Sequence, residues 1–159
     1  MQVEVTLLND AEEKSKITDD ILKKLPAWFG DEKAIQEFVT GVRDLPFFAA
    51  MQQSGDCAGF VSIKIHHEHS GDIYVCGVLP EFCNQGIGKK LFAAVEEYLL
   101  RAGCKYLFVK TLDETANYEP YEQTRRFYKS IGFDPLVTLR EMWDKNNPCL
   151  IMIKVLQNS

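Results

Sequence analysis

Apolar and polar residues alternate at the start of the chain: Val3, Val5 and Leu7 stand between polar neighbours across Gln2 to Leu8, the period-two pattern of a half-buried strand. Asn9 and Asp10 punctuate it. Thr18-Asp19-Asp20 reads as the cap of a short helix that carries Ile21, Leu22 and Leu25 and stops at Pro26. Ile35, Phe38, Val39 and Val42 then recur at helical spacing near Glu32 to Val42. Pro46 to Gln52, Gly59 to His67 and Asp72 to Val78 follow as three strands, with Ser54-Gly55-Asp56 and Ser70-Gly71 as the turns of an antiparallel meander. From Gly86 the spacing becomes helical: Ile87, Leu91, Val95, Tyr98 and Leu99 share one face, and Gly103 supplies a C-terminal stop. Tyr106 to Leu112 reads as a strand, Tyr121 to Ile131 as a helix closed by Gly132, and Leu136 to Met142 and Leu150 to Leu156 as the last two strands. The order predicts one α+β domain over residues 1–159, with a mixed, mostly antiparallel sheet of about seven strands flanked by about four helices.

Composition narrows the class. With 159 residues, 46% of them hydrophobic and 11% aromatic, the chain has enough apolar surface for a sizeable core. A net charge of -5 argues against a nucleic-acid partner bound through a broad basic surface. Five cysteines, Cys57, Cys76, Cys83, Cys104 and Cys149, form no Cys-x-x-Cys pair and suit reduced thiols in a cytoplasmic protein. Met1 to Val5 has no signal-peptide character, and apolar runs such as Leu45 to Met51 are too short to span a bilayer, so no membrane partner is expected. The apolar stretch Cys149 to Val155 can pair with another strand edge, which leaves monomer and homodimer both open.

The chemistry concentrates at Val75 to Leu91, a buried strand, a short turn and the first turn of an amphipathic helix. A glycine-rich entry to a helix brings unpaired N–H groups and a partial positive charge close to a phosphate. Gly88-Lys89 is followed by Lys90, where a P-loop requires Ser or Thr for magnesium. A Rossmann fingerprint requires a third glycine, which would fall at Leu91. His66-His67-Glu68-His69 resembles a metal site, but strand alternation sends His67 and His69 to one face and His66 and Glu68 to the other, so a polar hairpin end and no metal is the expectation. Cys76, in a buried strand with no neighbouring His, reads as a small hydrophobe rather than a covalent nucleophile.

Two segments together resemble the GNAT N-acetyltransferase superfamily, and the resemblance extends over essentially the whole chain. Val78-Leu79-Pro80-Glu81 leading into Cys83-Asn84-Gln85-Gly86-Ile87-Gly88 is similar to that family's Arg/Gln-x-x-Gly-x-Gly/Ala loop, and Arg125 to Phe133 is similar to its later helix. The resemblance implies a GNAT-like fold and acetyl-CoA as co-substrate. Pantetheine would pair with the strand backbone at Gly77, Val78 and Leu79, and Asn84, Gln85, Gly86, Ile87, Gly88 and Lys89 would hold the pyrophosphate. Cys83 departs from the usual Arg or Gln, and Tyr121 stands where relatives often carry Asn.

The same resemblance implies direct acetyl transfer in a ternary complex to a primary amine of a small molecule or peptide. Tyr128 resembles the general acid that protonates the leaving thiolate, the Val78 backbone N–H is the candidate oxyanion contact, and Asp72 occupies the place of a general base in the histone-acetylating branch. Trp28, Phe29 and Tyr121 are candidate acceptor-lining residues, with Glu32 and Tyr118 beside them. A non-catalytic acyl-CoA sensor with the same fold is the alternative.

Overall fold

The computed structural model describes residues 2–157. Strand β1 (Val3–Leu8) follows the expected alternation from Val3 to Thr6 and then departs from it, because Leu7 is exposed and Leu8 is the residue packed against the core; the strand pairs antiparallel with β2 (Phe47–Gln52) from Val3↔Gln52 to Leu8↔Phe47. Helix α1 runs from Ala11 to Leu22, so the expected cap at Thr18 and stop at Pro26 are both corrected. Asp10 is the cap: its Oδ1 accepts the Glu12 N–H at 2.9 Å, and Glu12 and Glu13 add acids to the first turn. Thr18 is instead fully buried in mid-helix, its hydroxyl donating to Lys14 O at 2.8 Å. Lys14 and Ser15 also face inward, where Lys14 Nζ donates to Leu45 O at 2.8 Å and Ser15 Oγ to Val39 O at 2.6 Å.

Helix α2 (Glu32–Gly41) is capped by Asp31, and helix α3 (Ile87–Arg101) buries Ile87, Leu91, Phe92, Val95 and Leu99. Strands β3 (Cys57–His66) and β4 (Ser70–Val78) meet in a hairpin turned by His67 and Glu68, with φ of 54° and 65°. The His69 N–H donates to His66 O at 3.3 Å across this turn, so Ser70 and Gly71 belong to the strand and not to the turn. Asp72 is therefore an interior strand residue rather than a strand-opening one.

Strand β5 (Tyr106–Leu112), helix α4 (Glu119–Ser130), strand β6 (Asp134–Asp144) and strand β7 (Asn147–Val155) complete the order. Helix α4 starts two residues before the expected Tyr121, with Pro120 in its first turn, where the missing N–H costs no hydrogen bond. The strands form one seven-stranded sheet in the order β1-β2-β3-β4-β5-β7-β6. β4 and β5 are parallel over Ser70↔Tyr106 to Asp72↔Phe108, whereas β5 and β6 both pair antiparallel with β7. The expected mixed, mostly antiparallel sheet with four α-helices is the one observed.

Contacts group the chain into two units. The first holds β1, α1, α2, β2 and most of β3, β4 and α3; its core gathers Ile17, Ile21, Leu22, Ile35, Val42, Phe47, Phe60, Val75 and Leu79. Phe47 and Phe60 stack there at 5.1 Å between centroids. Gly77 sits close against this packing: a Cβ would lie 2.8 Å from Leu25 Cδ1 and 3.2 Å from Ile21 Cγ2, so the end of the Leu25 side chain would have to shift. The second unit holds the hairpin tip Ile65–Ile73 with β5, α4, β6 and β7, and buries Leu107, Val109, Phe133, Cys149 and Met152. Among the described residues, no helix is long and apolar enough to cross a membrane.

Candidate active site

The glycine loop is built from the end of β4 outward. Pro80–Phe82 make one 3-10 turn, Asn84 takes φ 63°, and Gln85 Nε2 donates to Glu81 O at 3.0 Å. Gly86, at φ 81°, then caps α3, its carbonyl accepting the Lys90 N–H at 3.1 Å. The space beside Gly86 is open, so the positive φ and not crowding calls for glycine there. The N–H groups of Ile87, Gly88 and Lys89 precede the first intrahelical bond, and a glycine cap has no side chain to receive them.

Charge at this helix start runs against the other helices. Asp10 and Asp31 cap α1 and α2, and α1, α2 and α4 each carry acids in the first turn. The first turn of α3 has no acid and instead presents the exposed Lys89 and Lys90, adding positive charge to the positive end of the helix dipole. That donor set, three N–H groups and two lysines on an exposed loop, fits a pyrophosphate.

At the strand end, the Leu79 N–H donates to Ala58 O at 2.9 Å, which occupies it. By strand alternation the Val78 N–H faces the opposite edge. Cys83 is exposed, and its thiol folds back toward the strand, 3.6 Å from Leu79 O. Burial, with Glu81 adding to it, pushes this thiol above its ordinary pKa of 9.0. Cys76 is half-buried, and Cys57 is pushed to about 11 chiefly by burial. Trp28 and Phe29 pack against the same core as Leu79, with Phe29 edge-on to Phe38 at 6.0 Å.

In the second unit Tyr128 is 6% exposed on α4, with ring centroids 5.7 Å from Phe127 and 5.5 Å from Phe133. Its carbonyl accepts the Phe133 N–H at 3.0 Å, so the Gly132 turn locks the helix end beneath it. Tyr121 is half-buried, 6.0 Å from the Tyr118 ring. Asp72 is enclosed: its side chain is 4% exposed, and Oδ2 lies 3.0 Å from His66 Nε2 and 3.4 Å from Lys110 Nζ. Oδ1 is buried without a hydrogen-bond partner. His66 Nε2 and Asp72 Oδ2 share this hydrogen bond, and the His66 side chain is 45% exposed, which leaves its ring open to solvent.

His66 and Lys110 are the functional candidates that sequence reasoning missed. His66 stood out only as part of the His-rich run, in which no group of three or more ligating side chains could hold a metal among the described residues. Lys110 carries no local signal, because the parallel register of β4 and β5 brings it to Asp72.

The acetyltransferase (GNAT) family model matches residues 13–133, and the chain belongs to that family. A mycothiol acetyltransferase of Arthrobacter sp. (strain FB24) is 34% identical over 94 residues, covering 55% of this chain and 27% of the relative. A mycothiol acetyltransferase of Saccharopolyspora erythraea is 33% identical over 79 residues, covering 48% of this chain and 26% of its own length. The matched stretch thus spans about a quarter of those curated relatives. A solved aminoglycoside 6'-N-acetyltransferase in complex with coenzyme A superposes with a TM-score of 0.76 at 16% identity, covering 98% of each chain. The ribosomal-protein-S18-alanine N-acetyltransferase of Escherichia coli gives 0.74 at 16%, covering 99% of this chain and 96% of that one. At such identities the likeness establishes the fold.

Proposed function

We propose that residues 1–159 form one acetyl-CoA-dependent N-acetyltransferase domain of the cytoplasm, acting on a primary amine of a small molecule or peptide. The observation that carries this reading is the α3 N-terminus, which lacks a capping side chain and bears Lys89 and Lys90 where the other helices bear acids. Family membership and the coenzyme A complex of a fold neighbour agree with it. The names of the relatives, mycothiol and aminoglycoside acetyltransferases, favour a small-molecule acceptor.

Acetyl-CoA supplies the thioester. With it bound, the Val78 N–H would meet the oxyanion that develops when the amine nitrogen attacks the acetyl carbon, and Tyr128 would give its proton to the sulfur as the carbon–sulfur bond breaks. The amine's proton leaves through His66, with Asp72 holding the ring. Asp72→Asn is expected to lower kcat/KM about tenfold to a hundredfold while coenzyme affinity stays near wild type. An unchanged kcat/KM in the folded variant sinks this role for the pair.

The decisive measurement for the function is a thiol-release screen with acetyl-CoA and a panel of small amines and peptides. Acceptor-dependent thiol release, with intersecting double-reciprocal lines, is the expected result. Calorimetric coenzyme binding without thiol release for any acceptor would establish the acyl-CoA sensor instead. Parallel lines with an acetylated Cys76 would replace direct transfer by a covalent route.

A further inference from the structure

Arg125 is the least expected buried residue of α4. It is 8% exposed, its guanidinium donates through Nη1 to Leu112 O, and among the described residues no carboxylate meets it. A buried cation without a counter-charge is costly, and proteins usually pair it. One helical turn on, Lys129 places a second positive charge at i+4, also without an ion-pair partner among the described residues. Like charges at that spacing repel. Both residues line one cavity of about 340 Å³.

The acids around the same cavity do not answer this charge. Glu122 accepts from Arg126 at 2.8 Å, Glu119 accepts from Gln123 at 3.4 Å, and Glu114 forms no ion pair with either cation. Glu119 and Glu122 occupy the first turn of α4, and Arg125 and Lys129 follow toward its C-terminal end, so the cavity changes sign along the helix.

We propose that this cavity is a binding site for a single phosphate-type oxyanion, held between Arg125 and Lys129. A phosphate dianion matches two cations, whereas one carboxylate would neutralise only half of the charge. Free inorganic phosphate and the phosphomonoester of coenzyme A present the same chemistry, and only the second source rests on the acetyl-CoA reading above.

The test titrates inorganic phosphate, coenzyme A and dephospho-coenzyme A into the full chain and into Lys129→Gln, whose exposed side chain can change without disturbing the fold. Saturable phosphate binding, or tighter binding of coenzyme A than of dephospho-coenzyme A, is expected in the wild type. Lys129→Gln is expected to weaken it about tenfold. Phosphate that competes with coenzyme A but not with its dephospho form identifies the coenzyme as the source; phosphate bound alongside the coenzyme identifies a free anion. Absence of saturable phosphate binding together with equal affinities for the two coenzymes overturns the proposal, as does any binding that Lys129→Gln leaves unchanged. Acetyl transfer persisting in either case leaves the acetyl-CoA reading intact.

Discussion

Tyr128→Phe is expected to lower kcat by about a hundredfold to ten-thousandfold, the range for losing a positioned general acid, while coenzyme affinity stays within about threefold of wild type. The substitution keeps the ring that packs between Phe127 and Phe133 and removes only the hydroxyl. A structural role for that hydroxyl predicts a different outcome. The loss would then appear in the urea midpoint, by about 1 kcal/mol for one hydrogen bond, with turnover barely changed. Turnover and unfolding therefore separate the two roles in one variant, and unchanged kcat with a lowered midpoint would remove Tyr128 from the chemistry. Thiols with lower pKa leave more easily, so a thioester of a more acidic thiol should recover part of the lost rate if protonation of sulfur is the missing step.

What the sequence discloses depends on how local the cause is. Helix α3 was legible from Ile87, Leu91, Val95 and Leu99 because its buried face is apolar throughout. Helix α1 was misread because its inner face includes Lys14, Ser15 and Thr18, and their polar atoms are satisfied by carbonyls at Leu45, Val39 and Lys14 that no local pattern foretells. The β3–β4 turn escaped for a related reason: His67 and Glu68 adopt positive φ without the Gly or Asn that usually marks it, so Ser70-Gly71 drew the turn instead.

The candidate site divides along the same line. Its glycine loop is one contiguous stretch in which spacing, charge and helix start coincide. The Asp72, His66 and Lys110 cluster joins three strands, and its geometry exists only once β4 and β5 are in register. Arg125 lay in plain view four residues after Tyr121 and three before Tyr128, yet only burial distinguishes it from a solvated arginine.

Lys89→Glu separates a ligand seat from a structural turn by the sign of two effects. An acid in the first turn of α3 interacts favourably with the helix dipole, so the variant should be more stable by about 0.3–1 kcal/mol. The same change reverses a charge beside the proposed pyrophosphate, and at several ångströms in a partly solvated site this costs about 1–3 kcal/mol of binding. Coenzyme affinity should then fall about fivefold to 150-fold, and more at low salt than at high salt, because exposed charges are screened. Gly86 only permits the turn and Lys89 has no packing role there, being exposed. If the glycines served chain reversal alone, the variant would gain stability and bind coenzyme as before. Increased stability with lost affinity is the combination that a helix start kept uncapped for an anionic ligand requires, and coenzyme binding unaffected at low ionic strength would refute that role.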